Sequence, residues 1–413
     1  MKSKKYSWLV IFVSALFLMY KYVLQVSPSI MTDELMSEFH ISGAGLGNLA
    51  ATFFYSYFVT QLFVGYLLDR FSVRYLAGLS IFISAFGTYI FSTVHSLHLA
   101  EFGRALMGVG AAFATVAYMK NAAIWFKANQ FAFIGGLLAT AAMLGAVFGQ
   151  APLSLFVVDL GWRSTLYLVA ILGAFISLLY LLVVRDEDKS SVEHIKLPSI
   201  TYRDVFAIFK NPQNWILTFY SGLAFAPIAV FGGLWGVPFL KLSHHLAQTM
   251  AATLTSSAFI GLAVGGPVLG YISDRLGDRK KIMLMGSMLS FISLLLVIYW
   301  DSLSFIPTLV LMFVFGFGTG AFMLGFAVGR DINPVSMAAT IIGLINTGDA
   351  IFGAISEPLV GKILDINWAG HLHNGARVFS LHNYHIALSL LPLYLCIALV
   401  LILFIKDTVE KNN

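Results

Sequence analysis

Charge is scarce in this chain. Asp, Glu, Lys and Arg make up 11% of its 413 residues, against roughly 25% in an ordinary soluble domain. Hydrophobic residues account for 59%, more than a globule of this size can hide when much of its surface must face water. A water-soluble fold is therefore excluded, and the solvent this sequence suits is lipid. Cysteine is nearly absent as well: Cys396 stands alone in an apolar run, which rules out an internal disulfide. Long polar stretches are missing except for one, 185–212, too short to be an extramembrane domain. No His-Glu-x-x-His, P-loop or Gly-x-Ser-x-Gly occurs. The glycines at Gly43, Gly45 and Gly47 open an apolar helix with no strand before it, so they do not read as a phosphate loop. A membrane enzyme or receptor is disfavoured on these grounds, and no cofactor or metal is expected. The formal charge of +5 needs no nucleic acid to explain it, because cytoplasmic loops of membrane proteins collect Lys and Arg.

What is present is a series of apolar runs. A spanning helix needs about 20 mostly apolar residues, and twelve such runs are expected, near 7–30, 44–67, 74–94, 97–119, 129–156, 163–184, 213–238, 250–272, 280–300, 304–328, 336–362 and 383–405. The polar stretch splits them six and six. The expected organisation is an N-terminal bundle over 1–184, a linker over 185–212 and a C-terminal bundle over 213–413. With both ends cytoplasmic, 19 of the 25 basic residues fall inside and only Arg163, Lys241, Lys362 and Arg377 outside. An odd helix count would destroy this asymmetry. The N-terminal Met1-Lys2-Ser3-Lys4-Lys5 runs directly into the first apolar segment without a small-residue cleavage site, and reads as a retained anchor. The pairs Gly145/Gly149 and Gly261/Gly265 have the small-xxx-small spacing that lets helix backbones approach closely.

The most specific pattern is duplicated. Gly65-Tyr66-Leu67-Leu68-Asp69-Arg70-Phe71-Ser72-Val73-Arg74 recurs 205 positions later as Gly270-Tyr271-Ile272-Ser273-Asp274-Arg275-Leu276-Gly277-Asp278-Arg279. In each copy a Gly-x-x-x-Asp-Arg turn joins two apolar helices at matched places in the two halves. An Asp at a helix C-terminus opposes the helix dipole. It therefore needs a partner, either the neighbouring Arg or the N-terminus of another helix across the cytoplasmic seam. Gly65, Asp69, Arg70, Arg74, Gly270, Asp274, Arg275 and Arg279 are the expected gating residues.

These features resemble the major facilitator superfamily over the whole chain. Its signature loop matches both hairpins, with Ser72 replacing the usual glycine in the first and Gly277 keeping it in the second. Arg104-Ala105-Leu106-Met107-Gly108-Val109-Gly110 resembles the family's fourth-helix pattern, and Gly161-Trp162-Arg163 its opening to the sixth helix. In the fifth helix, Gln150 stands where the family's antiporters tend to carry proline, which argues against a drug:proton antiporter. The resemblance implies an all-α integral membrane protein of two pseudo-symmetric six-helix bundles, a secondary transporter working as a monomer in a bacterial inner membrane. Within the superfamily, the runs Tyr20–Ser29, Gly343–Asn346 and Glu357–Gly361 resemble the proteobacterial intraphagosomal amino-acid transporters and a eukaryotic lysosomal dipeptide-transporter branch. This narrower resemblance implies proton-coupled import of amino acids, small peptides or nucleosides. A drug or siderophore exporter of the same fold is the alternative.

Four ionisable residues fall well inside expected spans: Lys21, Arg104, Asp349 and Glu357. Each costs roughly 2.5–3.5 kcal/mol at mid-bilayer, so each marks either a pathway or an internal partner. Lys21 and Asp349 supply the cation and anion that a zwitterion needs, and also suit one another as a structural pair. Lys21, Gln25, Tyr55, Gln150, Tyr220 and Asn346 are the expected substrate-binding residues. Asp349, Glu357 and Arg104 are the expected proton-coupling residues, with Glu357 placed near the outer end where solvent reaches it. Nine of the ten histidines fall outside on this topology, and a face so rich in imidazole is expected to respond to mild acid.

Overall fold

The computed structural model describes residues 4–126, 130–186, 208–334 and 337–406. It is almost wholly helical. Among the described residues eleven helices are long and apolar enough to cross a membrane, and we number them with a twelfth as spans 1 to 12 in chain order. Spans 1 to 6 are Lys5–Ile30, Gly43–Arg70, Val73–Thr93, Leu97–Trp125, Phe133–Leu160 and Trp162–Val183. Spans 7 to 10 are Pro212–Ser243, Gln248–Leu276, Arg279–Tyr299 and Phe305–Asp331, and span 12 is Leu381–Leu403. Span 11 is the helix Ala338–Ile366. The expected linker falls largely in 187–207, outside the described residues. The sequence had not suggested two elements: a short helix Thr32–Phe39 after span 1, and a small hairpin pairing Leu372–His373 with Ala376–Arg377.

Local chemistry sets the helix ends. Ser42 caps span 2 by accepting from the Gly45 amide, Ser72 caps span 3 through the Tyr75 amide, and Asp278 caps span 9 through the Lys281 amide. Gly277 ends span 8 at a φ of 66°, a left-handed turn that glycine takes without strain. The serine of the first hairpin and the glycine of the second thus do different jobs: one starts a helix and the other stops one.

Spans 1–6 pack among themselves, as do spans 7–12, and the two bundles meet along span 2 against span 11 and span 5 against span 8. The glycine pairs anticipated as packing sites work within the bundles. A Cβ on Gly145 would stand 2.4 Å from the Met19 carbonyl, and one on Gly261 only 2.0 Å from that of Phe313.

Among the described residues, the hydrogen bonds between the bundles gather at one end. Gln150 donates to the Gly232 carbonyl (2.5 Å) and accepts from Thr255 (3.0 Å), while the Ala151 amide donates to Ser256 (3.2 Å). Lys241 pairs with Asp33 (2.8 Å), and Gln248 donates to the Ile30 carbonyl. Ser37 donates to the Asn374 carbonyl, and the amides of Gly43 and Ala44 donate to Asp365. All of these lie at the end remote from the two Asp-Arg hairpins. Among the described residues no hydrogen bond joins the bundles at the hairpin end.

Candidate functional site

The hairpins make their contacts inside their own bundles. Asp69 pairs with Lys120 of span 4 (3.0 Å), and that ammonium also donates to the Leu68 carbonyl. Arg70 donates to the Tyr66 hydroxyl (2.7 Å), and Arg74 donates to the Leu181 carbonyl (2.6 Å). In the second copy Arg279 pairs with Asp331 (2.9 Å) and lies 3.8 Å from Asp274. The partner of each Asp is thus basic, as its position at a helix C-terminus requires, but among the described residues neither hairpin makes an ion pair or hydrogen bond across the seam. A Cβ on Gly65 or Gly270 would meet nothing within 4 Å. Gly65 and Gly270, unlike Gly277, do no packing work here.

The four intramembrane charges are all buried and fall into two groups. Arg104, on span 4, donates to the carbonyls of Leu24 (2.5 Å) and Gln25 (3.1 Å), and its guanidinium lies 5.0 Å from the centre of the Phe53 ring. It pins span 4 to span 1. Glu357 is not solvent-reachable as expected: it is 2% exposed, because span 2 lies directly on its backbone. Gly47 approaches so closely that a Cβ there would stand 2.4 Å from the Glu357 carbonyl oxygen. That oxygen accepts from the Trp235 indole (3.0 Å). Arg104 Nε and Glu357 Oε2 are buried without a hydrogen-bond partner among the described residues, as is Gln61 Oε1.

Lys21 and Asp349 are not the structural pair that the sequence allowed. The Lys21 ammonium sits 4.0 Å from the centre of the Tyr22 ring and 4.9 Å from that of Tyr57. No carboxylate within the described residues reaches ion-pair distance of it. Asp349 accepts from the Ser221 hydroxyl (2.7 Å) within the other bundle. Burying an uncompensated charge is costly, and the two aromatic faces give Lys21 only a partial offset.

The polar candidates divide. Gln25 is half-buried and gives its carbonyl to Arg104. Tyr55 and Asn346 are exposed, on spans 2 and 11. Gln150 is fully buried, and its amide is satisfied by Ser29 (2.8 Å), Gly232 and Thr255. It therefore seals the bundles together in this state instead of presenting itself to a ligand. Tyr220 is fully buried in the C-terminal bundle with its hydroxyl on the Ala321 carbonyl (3.3 Å), a packing position and not a lining one. Sequence reading missed Tyr57, Ser221 and Asp365. Tyr57 was one more aromatic in an aromatic-rich helix, and nothing local distinguishes it until Lys21 is placed beside it.

Two six-helix bundles meeting at spans 2, 5, 8 and 11, with charges buried near the seam, define a membrane transporter fold. The family model of the Major Facilitator Superfamily matches residues 8–357 and again 217–413. The chain belongs to that superfamily, and as a member it is a multi-pass membrane transporter of small organic solutes, not an enzyme. It is similar to the probable galactarate/D-glucarate transporter GudP of Bacillus subtilis, at 24% identity over 92% of this chain and 89% of that one. It is also similar to a chloroplastic ascorbate transporter of Arabidopsis thaliana, at 25% identity over 82% of this chain and 66% of that one. Among solved structures, a bacterial homologue of the lysosomal transporter Spinster, inward-facing and unoccupied, superposes with a TM-score of 0.79, covering 98% of each chain at 14% identity. The nucleoside transporter NupG gives 0.75 at 15% identity, over 96% of this chain and 99% of its own. At these identities the structures speak for the fold alone. The relatives bear names of sugar-acid and anion transporters, not of the amino-acid or dipeptide branches that the narrower resemblance suggested.

Proposed function

We propose that this transporter carries a small organic anion of the sugar-acid class by alternating access, with protons as the coupling ion. The observation that carries the reading is Lys21: a buried ammonium held between Tyr22 and Tyr57, with no carboxylate of the described residues at ion-pair distance. A substrate carboxylate arriving there supplies the missing counter-charge and leaves the polyol of a sugar acid to hydrogen-bonding groups and aromatic faces nearby. The names of the curated relatives support the same class. Alternating access follows from bundles that rock about a central site. On the orientation the basic residues favour, the joined end is outer and the hairpin end cytoplasmic, so this is a state closed to the outside. The termini are then cytoplasmic, the membrane a bacterial inner membrane and the working unit a monomer.

Asp349 and Glu357 are the carboxyls suited to carry the proton. Each is buried on span 11 with no cation at ion-pair distance among the described residues, and an ionisable group so placed normally serves a pathway or a partner. A second reading is an amino acid or small peptide. Its supporting observation is that Lys21 and Asp349 stand on opposite bundles, one charge for each end of a zwitterion. Proteoliposomes loaded with purified protein separate the two. Uptake of labelled galactarate, glucarate or gluconate, driven by an inward proton gradient and lost in Lys21→Ala, is the expected result. Accumulation of amino acids or dipeptides instead favours the second reading. Dye efflux with no uptake of either class overturns both in favour of an exporter.

A further inference from the structure

The sealed end contains a contact built like the one expected at the hairpin end, a carboxylate at the C-terminus of one helix against the N-terminus of a helix in the other bundle. The hairpin reading gives Asp69, at the C-terminus of span 2, the N-terminus of a helix in the other bundle as a candidate partner. At the opposite end of the protein, Asp365 sits at the C-terminus of span 11. Its Oδ1 accepts from the Gly43 amide (2.8 Å) and its Oδ2 from the Ala44 amide (2.8 Å), the first two residues of span 2. Ser42, the cap of that helix, takes only the Gly45 amide (3.2 Å). The remaining free donors at the start of span 2 are thus satisfied from the other bundle. Arg377, on the hairpin after span 11, donates to Asp365 Oδ1 (3.0 Å) and lies 4.3 Å from the centre of the Trp368 ring. This arrangement holds the carboxylate charged and aimed. Close approach is obligatory here: a Cβ on Gly361 would stand 2.1 Å from the Gly43 carbonyl oxygen.

We infer that Asp365, oriented by Arg377, is the outer latch of the transport cycle, a carboxylate of one bundle that caps the N-terminus of span 2 in the other and is released when that end opens. An anion at a helix N-terminus gains both hydrogen bonds and dipole energy. Both are exchanged for water when the bundles part, so the contact weighs on the equilibrium between states more than on folding. Asp33–Lys241 adds a second ionic contact at the same end, but its partners are more exposed (51% and 37%, against 15% for Asp365), so it is the weaker of the two. The inference rests on alternating access and is independent of which solute is carried.

The test uses the full-length protein without substrate. In a Cys396→Ser background, spin labels at Ser96→Cys and Ser304→Cys report the separation of the bundles at the sealed end. Both residues are exposed and neither makes a side-chain cap bond. Asp365→Asn is expected to raise the ratio of open to closed distances about tenfold, with Arg377→Gln shifting it the same way to a lesser degree. Thermal unfolding is followed in parallel. A folded Asp365→Asn protein with an unchanged distance distribution overturns the inference, as does a lowered Tm without a change in distances, which is the signature of a merely structural contact. Should Asp365→Asn fail to fold, Arg377→Gln decides by the same readout. Failure of sugar-acid uptake leaves these distances untouched, so the cargo reading and the latch fail separately.

Discussion

Replacing Gly47 with alanine tests whether the contact between spans 2 and 11 belongs to one conformational state or to the fold. The new Cβ would stand 2.4 Å from the Glu357 carbonyl oxygen and 2.5 Å from Pro358 Cα, both backbone atoms that cannot rotate away. Ordinary contact distances are about 3.5–4.0 Å, so the helices have to part by about 1 Å. Overpacking of this kind costs about 1–3 kcal/mol, which corresponds to a shift of about 5- to 150-fold in a two-state equilibrium. Because the clash is between bundles, rocking them apart relieves it, and the cost falls on the sealed state. Gly316→Ala is the control: its Cβ would stand 1.8 Å from the Ala258 carbonyl oxygen within one bundle, where no rigid-body motion gives relief. Gly47→Ala should therefore lengthen the Ser96–Ser304 distance while leaving Tm nearly unchanged, and Gly316→Ala should lower Tm without opening that end. If Gly47→Ala keeps the wild-type distance distribution, or loses as much Tm as Gly316→Ala, the assignment of this seam to one state is refuted.

Further outcomes can be checked alongside. Tyr57→Leu removes one of the two aromatic faces at Lys21, and a cation–π contact of about 0.5–2 kcal/mol converts to a rise of about 2- to 30-fold in apparent Kd for the anion; an unchanged Kd removes Tyr57 from the site. Asp349→Asn and Glu357→Gln should abolish accumulation driven by a proton gradient while preserving counterflow exchange in at least one of the two; gradient-driven uptake at wild-type rates in both would exclude them as proton carriers. Glu38, on the short helix Thr32–Phe39, bonds His95 (2.6 Å) and Arg163 (2.7 Å), and these partners, His95 first, hold its carboxyl below the usual carboxylate range. A lowered value means that folding favours the carboxylate, so its contribution is complete above the unfolded carboxylate value and is lost as pH falls through the folded one. Glu38→Gln should accordingly lower Tm at neutral pH, by about 2 °C or less for a partly exposed pair. The difference should shrink as pH falls through the folded value, below the usual carboxylate range, and a difference that persists once the carboxyl is protonated contradicts the assignment.

The spans were legible because hydrophobic runs and the basic residues at their ends are local properties. Twelve runs became twelve helices whose bounds moved by only a few residues in most cases, with larger extensions where span 4 continued to Trp125 and span 7 to Ser243. The buried charges were legible for the same reason: an ionisable group in an apolar run stands out against its neighbours. Their partners were not. Lys21 and Asp349 have opposite charges, yet one faces Tyr22 and Tyr57 and the other Ser221. Gln150 reads as a ligand-binding amide by composition and depth, and only its three partners on spans 1, 7 and 8 reveal a seal.

By itself, then, the sequence determined the solvent, the number of crossings, the duplication and the superfamily, since each depends on the order of residues along the chain. The tertiary structure decided which end is closed and what closes it. Asp365 and Gly43 are separated by 322 positions, and no periodicity or motif links a carboxylate at the end of one helix to the free amides at the start of another. That contact exists only because two glycine-bearing helices from different bundles pack backbone to backbone, an arrangement set by the packing of the whole chain and not by its local order.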